Sequence, residues 1–344
     1  MYIEMLSKTN NTKYAIWKDF LKKSDLDADE SAGQTVLLWD DDTLIASGSR
    51  DGNILKCIAV DKNRQGEGHT ATIITALKKE AFSEGINHLF LYTKPQNEKM
   101  FSDLLFYPVA QTDNVLLMED RKNGIISFLN QFSETKCQGK VACIVMNCNP
   151  FTLGHQYLIE KACKECDHLY VFVVSEDKST FSTDDRLKMV CLGTDHLSNV
   201  SVLPTGPYLI SSATFPTYFL HDRENVTQIQ CLLDIEIFAR YYAPKFNITT
   251  RYVGTEPVSP TTNKYNMALE KFLPKYNIEL REIPRLEISG APISASQVRQ
   301  LIDSQNIQAV KSMVPDTTFD FLINKGLISQ EDLYAGTPEK PYFK

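Results

Sequence analysis

The sequence predicts an α/β protein built from two domains, and three observations lead to this fold class. The chain has 344 residues, which is enough for two domains with sizeable cores. From Val141 onward, short apolar runs alternate with segments of helical periodicity, a pattern typical of a doubly wound parallel sheet. Residues 133–139 are polar and end in glycine, as expected of a linker. We therefore predict domains at 1–130 and 140–344, with a linker at 131–139.

The composition excludes several classes of protein. Hydrophobic residues make up 43% of the chain and charged residues 23%, which is ordinary for a globular protein. The net charge of −7 argues against a general nucleic-acid partner. No apolar run reaches the roughly 18–20 residues needed to cross a membrane, and residues 1–13 lack the apolar core of a signal peptide. We therefore expect a cytoplasmic protein with no membrane and no nucleic-acid partner.

The N-terminal domain is predicted to be a small α/β unit. Its predicted elements are a helix at 12–26, strands at 34–39, 43–48 and 53–60, a helix at 70–84, a strand at 88–92 and a helix ending at 105, and the segments 106–109 and 115–118 close the unit. Gly66 and Gly68 lie between a strand and a helix, where backbone N–H groups can bind phosphate. This loop and element order resemble the Gcn5-related N-acetyltransferase family, although Asn63 stands where that family usually has Gln or Arg. The resemblance implies an acetyltransferase-like domain with a candidate acyl-CoA loop at Gly66 and Gly68. A domain that only packs or docks a partner is the alternative.

The C-terminal domain is predicted to alternate strands and helices. Its strands are predicted at 141–146, 169–174, 200–203, 248–253 and 279–283, and its later helices at 183–192, 227–242, 263–273, 296–304, 307–313 and 317–325. Between the first strand and its helix, residues 147–155 form a sharp loop that ends in Thr152, Gly154 and His155. Free N–H groups and the helix dipole make such a helix start an anion site. Gly154 lets an anion approach the backbone, and His155 adds a donor.

Further candidate site residues follow other predicted strands or begin helices. They are Lys178, Gly254, Glu256, Ser294, Ser296 and Arg299. Ligands collect at the carboxyl ends of the strands in a doubly wound sheet, so these residues can converge on the loop 147–155. Simpler roles stay open for each of these residues. Lys178 could be a solvated loop residue, Glu256 could cap the next segment, and Arg186 could be structural rather than catalytic. The lone C-x-x-C pair Cys163 and Cys166 is expected to be structural.

The two main motifs, residues 149–155 and 293–299, resemble signatures of the nucleotidylyltransferase superfamily, [HT]-x-G-H and I-S-[ST]-[ST]-x-[IVL]-R. Thr152 replaces the first histidine, and Ala295 replaces a hydroxyl residue. The resemblance implies phosphate contacts from a catalytic group and an ATP-binding group, with no metal ligands from the protein. The catalytic group is Thr152, His155, Lys178 and Arg299. The ATP-binding group is Asn147, Asn149, Pro150, Phe151, Gly154, Gly254, Glu256, Ser294 and Ser296.

The fusion of these two domains resembles the [citrate (pro-3S)-lyase] ligase family. The matching stretches are 149–155, 210–216, 251–257 and 259–265. Membership implies that acetate and ATP, with Mg²⁺, give acetyl-AMP and pyrophosphate. The acetyl group then passes to the prosthetic-group thiol on the acyl-carrier subunit of citrate lyase, which activates that enzyme. Two alternatives stay open: an adenylyltransferase that makes a dinucleotide from phosphopantetheine or nicotinamide mononucleotide, and an acetyl-CoA-dependent acetyltransferase or acyl-CoA sensor.

Overall fold

The structure, a computed structural model, describes residues 1–7, 9–29, 31–132, 137–175, 179–209, 215–220, 226–256, 259–288 and 290–329. Its residues form two compact units. The first comprises Met1–Gln131 and Ser212–Ile237, and the second comprises Phe132–Ser211 and Phe238–Lys344. The sequence predicts a continuous C-terminal domain over 140–344, whereas the described part of Ser212–Ile237 packs with the first unit.

The first unit is organised around a seven-stranded sheet. Its strands are β1 (Tyr2–Met5), β2 (Gln34–Asp40), β3 (Thr43–Asp51), β4 (Ile54–Val60), β5 (Phe90–Thr93), β6 (Tyr107–Gln111) and β7 (Leu116–Glu119). Its helices are α1 (Asn11–Lys23), α2 (His69–Ser83), α3 (Glu98–Ser102), α4 (Gly124–Asn130) and α7 (Val226–Ile237). The strand order is β1-β2-β3-β4-β5-β7-β6, and only the β4–β5 pair is parallel.

Helix α2 packs closely on the sheet because β3 carries a glycine there. A Cβ atom at Gly48 would lie 2.4 Å from Cγ2 of Ile73, so a larger residue would push the helix away. Ile73 and Leu77 of α2 are fully buried with Val36 and Leu55 of the sheet in one apolar core. The helix begins after Gly68, whose φ of +83° lies in the left-handed region that favours glycine.

Strands β4 and β5 pair at only two positions and then separate. Ile54 is opposite Phe90 and Leu55 is opposite Leu91, but no pairing continues beyond them. Tyr218, which is 9% exposed, lies beside the unpaired part of β5, and its hydroxyl donates to the Tyr92 carbonyl over 3.1 Å. The chain segment 215–220 therefore packs against the place where these strands part.

The second unit contains a five-stranded sheet in which every pair is parallel. Its strands are β8 (Val141–Met146), β9 (His168–Val173), β10 (Val200–Pro204), β11 (Thr250–Gly254) and β12 (Glu279–Ile283), followed by a hairpin of β13 (Glu287–Ile288) and β14 (Ala291–Pro292). Its helices are α5 (Leu153–Cys163), α6 (Thr183–Thr194), α8 (Ala243–Phe246), α9 (Pro260–Phe272), α10 (Ala295–Asp303), α11 (Ile307–Met313) and α12 (Asp316–Asn324).

The sheet order β10-β9-β8-β11-β12 explains the apolar sequence of β8. As a strand with a neighbour on each side and a buried side chain at nearly every position, it forms the centre of the core. The predicted fold class, an α/β domain followed by a second α/β domain with a parallel sheet, is confirmed.

Several local boundaries differ from the predictions by a few residues, and two helices illustrate this. Helix α6, predicted at 183–192, extends over Thr183–Thr194, and it is capped by Ser182, whose hydroxyl accepts the Asp185 N–H. The helix predicted at 227–242 is α-helical only over Val226–Ile237, and Phe238–Tyr242 form a π-helical turn. Within the described parts of the chain, no helix is both long and apolar enough to cross a membrane. None of the eight cysteines, all of which lie in described parts of the chain, forms a disulfide bond.

Candidate active site

The candidate site lies where the strand order of the second unit reverses. The chain passes from β8 outward to β9 and β10 and then returns to β11 on the other side of β8. Loops that follow neighbouring strands leave in opposite directions at such a point and open a crevice at the carboxyl ends. Here the loop after Met146 and the segment Gly254–Glu256 follow the carboxyl ends of the neighbouring strands β8 and β11.

Thr152 and His155 form a reciprocal capping box at the start of α5. The Thr152 hydroxyl accepts the His155 backbone N–H over 3.4 Å, and His155 Nδ1 accepts the Thr152 N–H over 3.1 Å. The Thr152 hydroxyl also lies 3.0 Å from Nδ1. Because Nδ1 accepts hydrogen bonds, the proton of the neutral ring is on Nε2. The ring can therefore donate Nε2–H to a ligand at the helix start.

His155 is neutral at physiological pH. Burial lowers the pKa of His155 to about 4, and the Arg285 cation contributes to the same shift. Phe151, which is fully buried, stacks on the imidazole with ring centroids 5.9 Å apart and planes 14° from parallel. This ring is therefore a fixed hydrogen-bond donor rather than a permanent positive charge.

Arg299 of the second signature (residues 293–299) contacts the first signature (residues 149–155). Its Nη1 donates to the carbonyl of Asn149, and its Nη2 donates to Ser296 Oγ over 3.1 Å. A Cβ at Gly154 would lie 3.5 Å from Cβ of Ile293, so the start of α5 rests against the residue before Ser294. Ser294 is the N-cap residue of α10, but its side chain makes no capping bond. The structure thus brings together the two motifs that the sequence places about 140 residues apart.

Arg186 supports the loop after β8 by hydrogen bonds. The side chain is fully buried, and its Nη1 donates to the Asn147 carbonyl over 2.9 Å, to Asn147 Oδ1 over 2.7 Å and to the Val174 carbonyl over 2.6 Å. Its Nε donates to the Phe181 carbonyl over 3.1 Å, and the Phe181 N–H donates to Asn149 Oδ1 over 3.1 Å. Of the two roles considered from the sequence, this environment supports the structural one.

The β11 loop carries an ion pair that the sequence does not predict. Arg285 Nη2 binds Glu256, whose side chain is 4% exposed, and Glu256 also accepts the Ser259 N–H over 3.0 Å. Glu256 thus caps the segment that leads into α9, which is the alternative role noted for it above. Arg285 follows the end of β12 by two residues. Its strand-end position is the signal that could have found it.

The remaining predicted site residues lie as follows. Pro150 is buried after a cis Asn149–Pro150 peptide, and Asn147 is exposed beyond β8. Lys178 lies outside the described residues.

Gly66 and Gly68 lie in the first unit, where both have positive φ angles of +86° and +83°. Between them Glu67 binds Arg64 Nε over 2.8 Å and lies 3.1 Å from His69 Nε2, so the loop already contains a carboxylate.

A parallel sheet with an anion-binding helix start at its switch point, closed by a Ser- and Arg-bearing helix, defines a nucleotidylyltransferase-like α/β protein. Residues 141–322 match the family model described as citrate lyase ligase C-terminal domain. The [citrate [pro-3S]-lyase] ligase of Klebsiella pneumoniae is 40% identical over 310 residues, covering 88% of this chain and 91% of that protein. The chain belongs to the citrate lyase ligase family.

Two further relatives extend this comparison. The [citrate [pro-3S]-lyase] ligase of Escherichia coli strain K12 is 36% identical over 337 residues, covering 96% of each chain. The phosphopantetheine adenylyltransferase of Streptococcus agalactiae serotype Ia is 27% identical over 160 residues, covering 43% of this chain and 97% of that protein. The predicted family and the prediction of a ligase enzyme are confirmed.

Proposed function

We propose that this chain is an ATP-dependent, AMP-forming acetate ligase. It acetylates the prosthetic-group thiol on the acyl-carrier subunit of citrate lyase in the cytoplasm, through acetyl-AMP. The observation that carries the proposal is the bond from Arg299 to the Asn149 carbonyl. This bond joins the Ser- and Arg-bearing start of α10 to the anion-binding start of α5, so that a chain of phosphates can be held between them.

The first half-reaction forms acetyl-AMP. A carboxylate oxygen of acetate attacks the α-phosphorus of ATP, the bond from that phosphorus to the bridging oxygen breaks, and pyrophosphate leaves with its electron pair. No proton is exchanged, because the carboxylate is already ionised at pH 7. The protein therefore acts by positioning the reactants and stabilising charge on the phosphate oxygens. Mg²⁺ enters as part of the substrate, bound to the ATP phosphates.

The site residues divide the phosphate contacts between them. Nε2–H of His155, oriented by Thr152, donates to the α-phosphate, and the backbone at Gly154 lies beside it. Ser294, Ser296 and Arg299 hold the outer phosphates, with Arg299 supplying charge-assisted bonds. Removing one donor of this kind from a preorganised site costs about 2.7–4 kcal/mol of transition-state stabilisation. Lys178 is proposed to neutralise phosphate charge as well.

The other predicted residues form the walls of the same site. Asn147, Asn149, Pro150 and Phe151 belong to the loop that Arg186 supports, and Phe151 backs the His155 ring. Gly254 and Glu256 form the opposite wall at the end of β11. In this assignment Glu256 acts through its ion pair with Arg285.

The second half-reaction transfers the acetyl group. The sulfur of the prosthetic group attacks the acetyl carbonyl carbon, the bond from that carbon to the AMP phosphate oxygen breaks, and AMP leaves. The thiol proton goes to solvent. The products are AMP and an acetyl thioester on citrate lyase.

The direct test supplies acetate, MgATP and deacetylated citrate lyase to the full chain. We expect pyrophosphate and AMP to form in equal amounts, to require acetate, and to be matched by acetylated acyl-carrier subunit. The control omits acetate. AMP formation that does not depend on acetate would overturn the proposal.

A second function is favoured by the match to phosphopantetheine adenylyltransferase. In that reaction a phosphate oxygen of phosphopantetheine or nicotinamide mononucleotide attacks ATP, and AMP stays in a stable dinucleotide. Supplying each of these acceptors without acetate distinguishes the two functions. Formation of a dinucleotide faster than acetate-dependent AMP would favour the adenylyltransferase. An acyl-CoA role of the first unit is tested by titrating the full chain with acetyl-CoA.

A further inference from the structure

We infer that Arg285 is an additional oxyanion-binding residue of the candidate active site. Its ligand is either the carboxylate of the acid substrate or the α-phosphate of the nucleotide, which share the planar or tetrahedral oxyanion chemistry that arginine binds. The identity of these ligands rests on the proposed function.

The position of Arg285 follows from two bonds to the end of β11. Its backbone N–H donates to Thr255 Oγ1 over 3.1 Å, and its Nε donates to the Thr255 carbonyl over 2.8 Å. Strand β11 is the neighbour of β8, so these bonds place the guanidinium at the switch point rather than at the sheet edge where β12 lies.

Gly254 lets Arg285 approach the helix that carries His155. A Cβ at Gly254 would lie 3.7 Å from Cγ of Arg285 and 4.0 Å from Cδ2 of Leu158. Leu158 is one turn after His155 on α5, and residues three apart share a helix face. Arg285 thus lies across Gly254 from the face of α5 that begins at His155. The lowered pKa of His155, to which the Arg285 cation contributes, agrees with this placement.

The guanidinium is fixed on one edge and available on the other. Nε is held by Thr255, and Nη2 is held by the nearly buried Glu256. Among the described residues, Nη1 makes no hydrogen bond, and the side chain is 31% exposed. A guanidinium held on its Nε and Nη2 sides presents its remaining N–H groups in a set direction, which favours binding of an oxyanion.

A positive charge from Arg285 complements the hydrogen bond from His155 at the start of α5. His155 is neutral, so it supplies a hydrogen bond but no positive charge to an anion there. Arg285 is a cation that the structure places beside it across Gly254, in addition to Arg299, which contacts the loop before α5. His155 therefore supplies a neutral hydrogen-bond donor, and Arg285 supplies a charged one.

The test compares three variants of the full chain. Arg285→Gln removes the charge, and Arg281→Gln is the matched control, because Arg281 lies on β12 and pairs with Glu165 and Glu279 on the surface. We expect Arg285→Gln to weaken the contacted substrate by about 10- to 100-fold, the range for a hydrogen bond to a charged group. Arg281→Gln should stay within about twofold, as a surface change does.

The two possible ligands, acetate and the α-phosphate, are distinguished by which KM rises in Arg285→Gln. A carboxylate contact raises KM for acetate, and a phosphate contact raises KM for MgATP. The third variant, Glu256→Gln, tests whether Arg285 only anchors the β11 loop. A purely structural pair predicts equal losses in Glu256→Gln and Arg285→Gln, which would overturn the inference, whereas oxyanion binding predicts a clearly larger loss in Arg285→Gln.

Binding measurements separate this inference from the proposed function. Calorimetry measures MgATP affinity, and acetate affinity is measured in the presence of a non-cleavable ATP analogue. Unchanged affinity for both ligands in Arg285→Gln overturns the role of Arg285. Absence of acetate-dependent AMP in the unmodified chain overturns the proposed function instead, and the MgATP measurement still tests Arg285.

Discussion

Thr152 and His155 fix each other at the start of α5. The Thr152 N–H donates to His155 Nδ1 over 3.1 Å, while the Thr152 hydroxyl accepts the His155 backbone N–H over 3.4 Å. The pair determines which ring nitrogen carries the proton, and burial lowers the pKa of the ring to about 4. A ligand at this helix start therefore meets a neutral imidazole with a directed Nε2–H.

This arrangement predicts different results for two substitutions of His155. Glutamine can place an amide N–H near the Nε2 position, whereas asparagine is too short to do so. We expect His155→Asn to lower kcat for acetate-dependent AMP formation by about 10²–10³-fold, as for loss of one oxyanion donor. His155→Gln should retain a clearly larger share of kcat. Equal losses in both variants would indicate that the charged imidazolium is required.

The same pKa predicts how stability depends on pH. The folded-state pKa of about 4 lies below the ordinary value of 6.5, so between these values the unfolded chain binds a proton that the folded chain does not. The stability that neutral His155 contributes is fully present above about pH 6.5. It is lost as pH falls toward 4. Urea unfolding at pH 7, 6 and 5 should therefore show a shallower loss of stability in His155→Gln than in the unmodified chain.

The control for this measurement is His196→Gln. His196 has a side chain that is 53% exposed and lies at the surface beside Glu160. We expect its pH dependence of unfolding to follow the unmodified chain. A His155→Gln profile that coincides with the unmodified profile would contradict the lowered pKa.

The sequence predicts the regular elements of the parallel sheet closely. Strands β8 and β12 and helix α11 have the predicted bounds, because each is a short periodic run between clear turn residues. The convergence of His155 and Arg299 is also predictable, since both lie near helix starts of one doubly wound domain, where ligands collect.

Other features depend on packing that no local pattern encodes. The apolar pattern of α7 predicts a helix but does not determine which unit its apolar face contacts, and the helix packs with the first unit. The sequence position of Glu256 alone predicts a residue that binds the ligand. Only the three-dimensional contact with Arg285 reveals the ion pair. The protonated nitrogen of His155 likewise follows from the Thr152 bond and not from the motif.

Gly193 is predicted to be required for the position of Phe151. A Cβ at Gly193 in α6 would lie 2.3 Å from Cε1 of Phe151, a fully buried ring that stacks on His155. Gly193→Ala should therefore displace Phe151 and lower the free energy of unfolding by about 1–3 kcal/mol, the usual cost of overpacking a core. It should also lower kcat through His155.

The matched control is Leu192→Ala, which changes the neighbouring residue of the same helix at a position that is 45% exposed. Urea unfolding and acetate-dependent AMP formation are measured for both variants. An unfolding free energy in Gly193→Ala equal to that of the unmodified chain would show that Phe151 can move without cost.

Arg186 is predicted to stabilise the site without contacting substrate. Its guanidinium donates to the carbonyls of Asn147, Val174 and Phe181. Arg186→Met leaves these acceptors without that donor, and each buried acceptor left unsatisfied costs about 1–3 kcal/mol. We expect a lower unfolding free energy together with a higher KM for MgATP.

Lys188→Met is the control for Arg186, because it removes an exposed cation from the same helix. Its unfolding free energy should change by less than about 0.5 kcal/mol. Full stability with strongly reduced kcat in Arg186→Met would instead indicate direct participation in the reaction.

Tyr218 is predicted to close the gap between β4 and β5 in the first unit. The two strands pair only at Ile54 and Leu55, and the Tyr218 hydroxyl donates to the Tyr92 carbonyl of β5. Cys57 of β4 is fully buried, and burial raises the pKa of its thiol to about 12. Removing the tyrosine ring should expose this thiol. We expect Tyr218→Ala to raise the rate of Cys57 labelling by a thiol reagent at least about tenfold, because truncating a buried aromatic side chain lowers local stability by several kcal/mol.

Tyr218→Phe separates the ring from the hydroxyl. It keeps the covering ring and removes one hydrogen bond, worth about 1 kcal/mol, so Cys57 labelling should rise far less than in Tyr218→Ala. Labelling is followed by mass spectrometry of the intact chain and its peptides, with the exposed Cys191 as the internal reference. Equal Cys57 labelling in Tyr218→Ala and the unmodified chain, at equal Cys191 labelling, would show that segment 215–220 does not cover the gap. A rise confined to Tyr218→Ala would assign that cover to the ring of Tyr218, since the hydroxyl is absent from both variants.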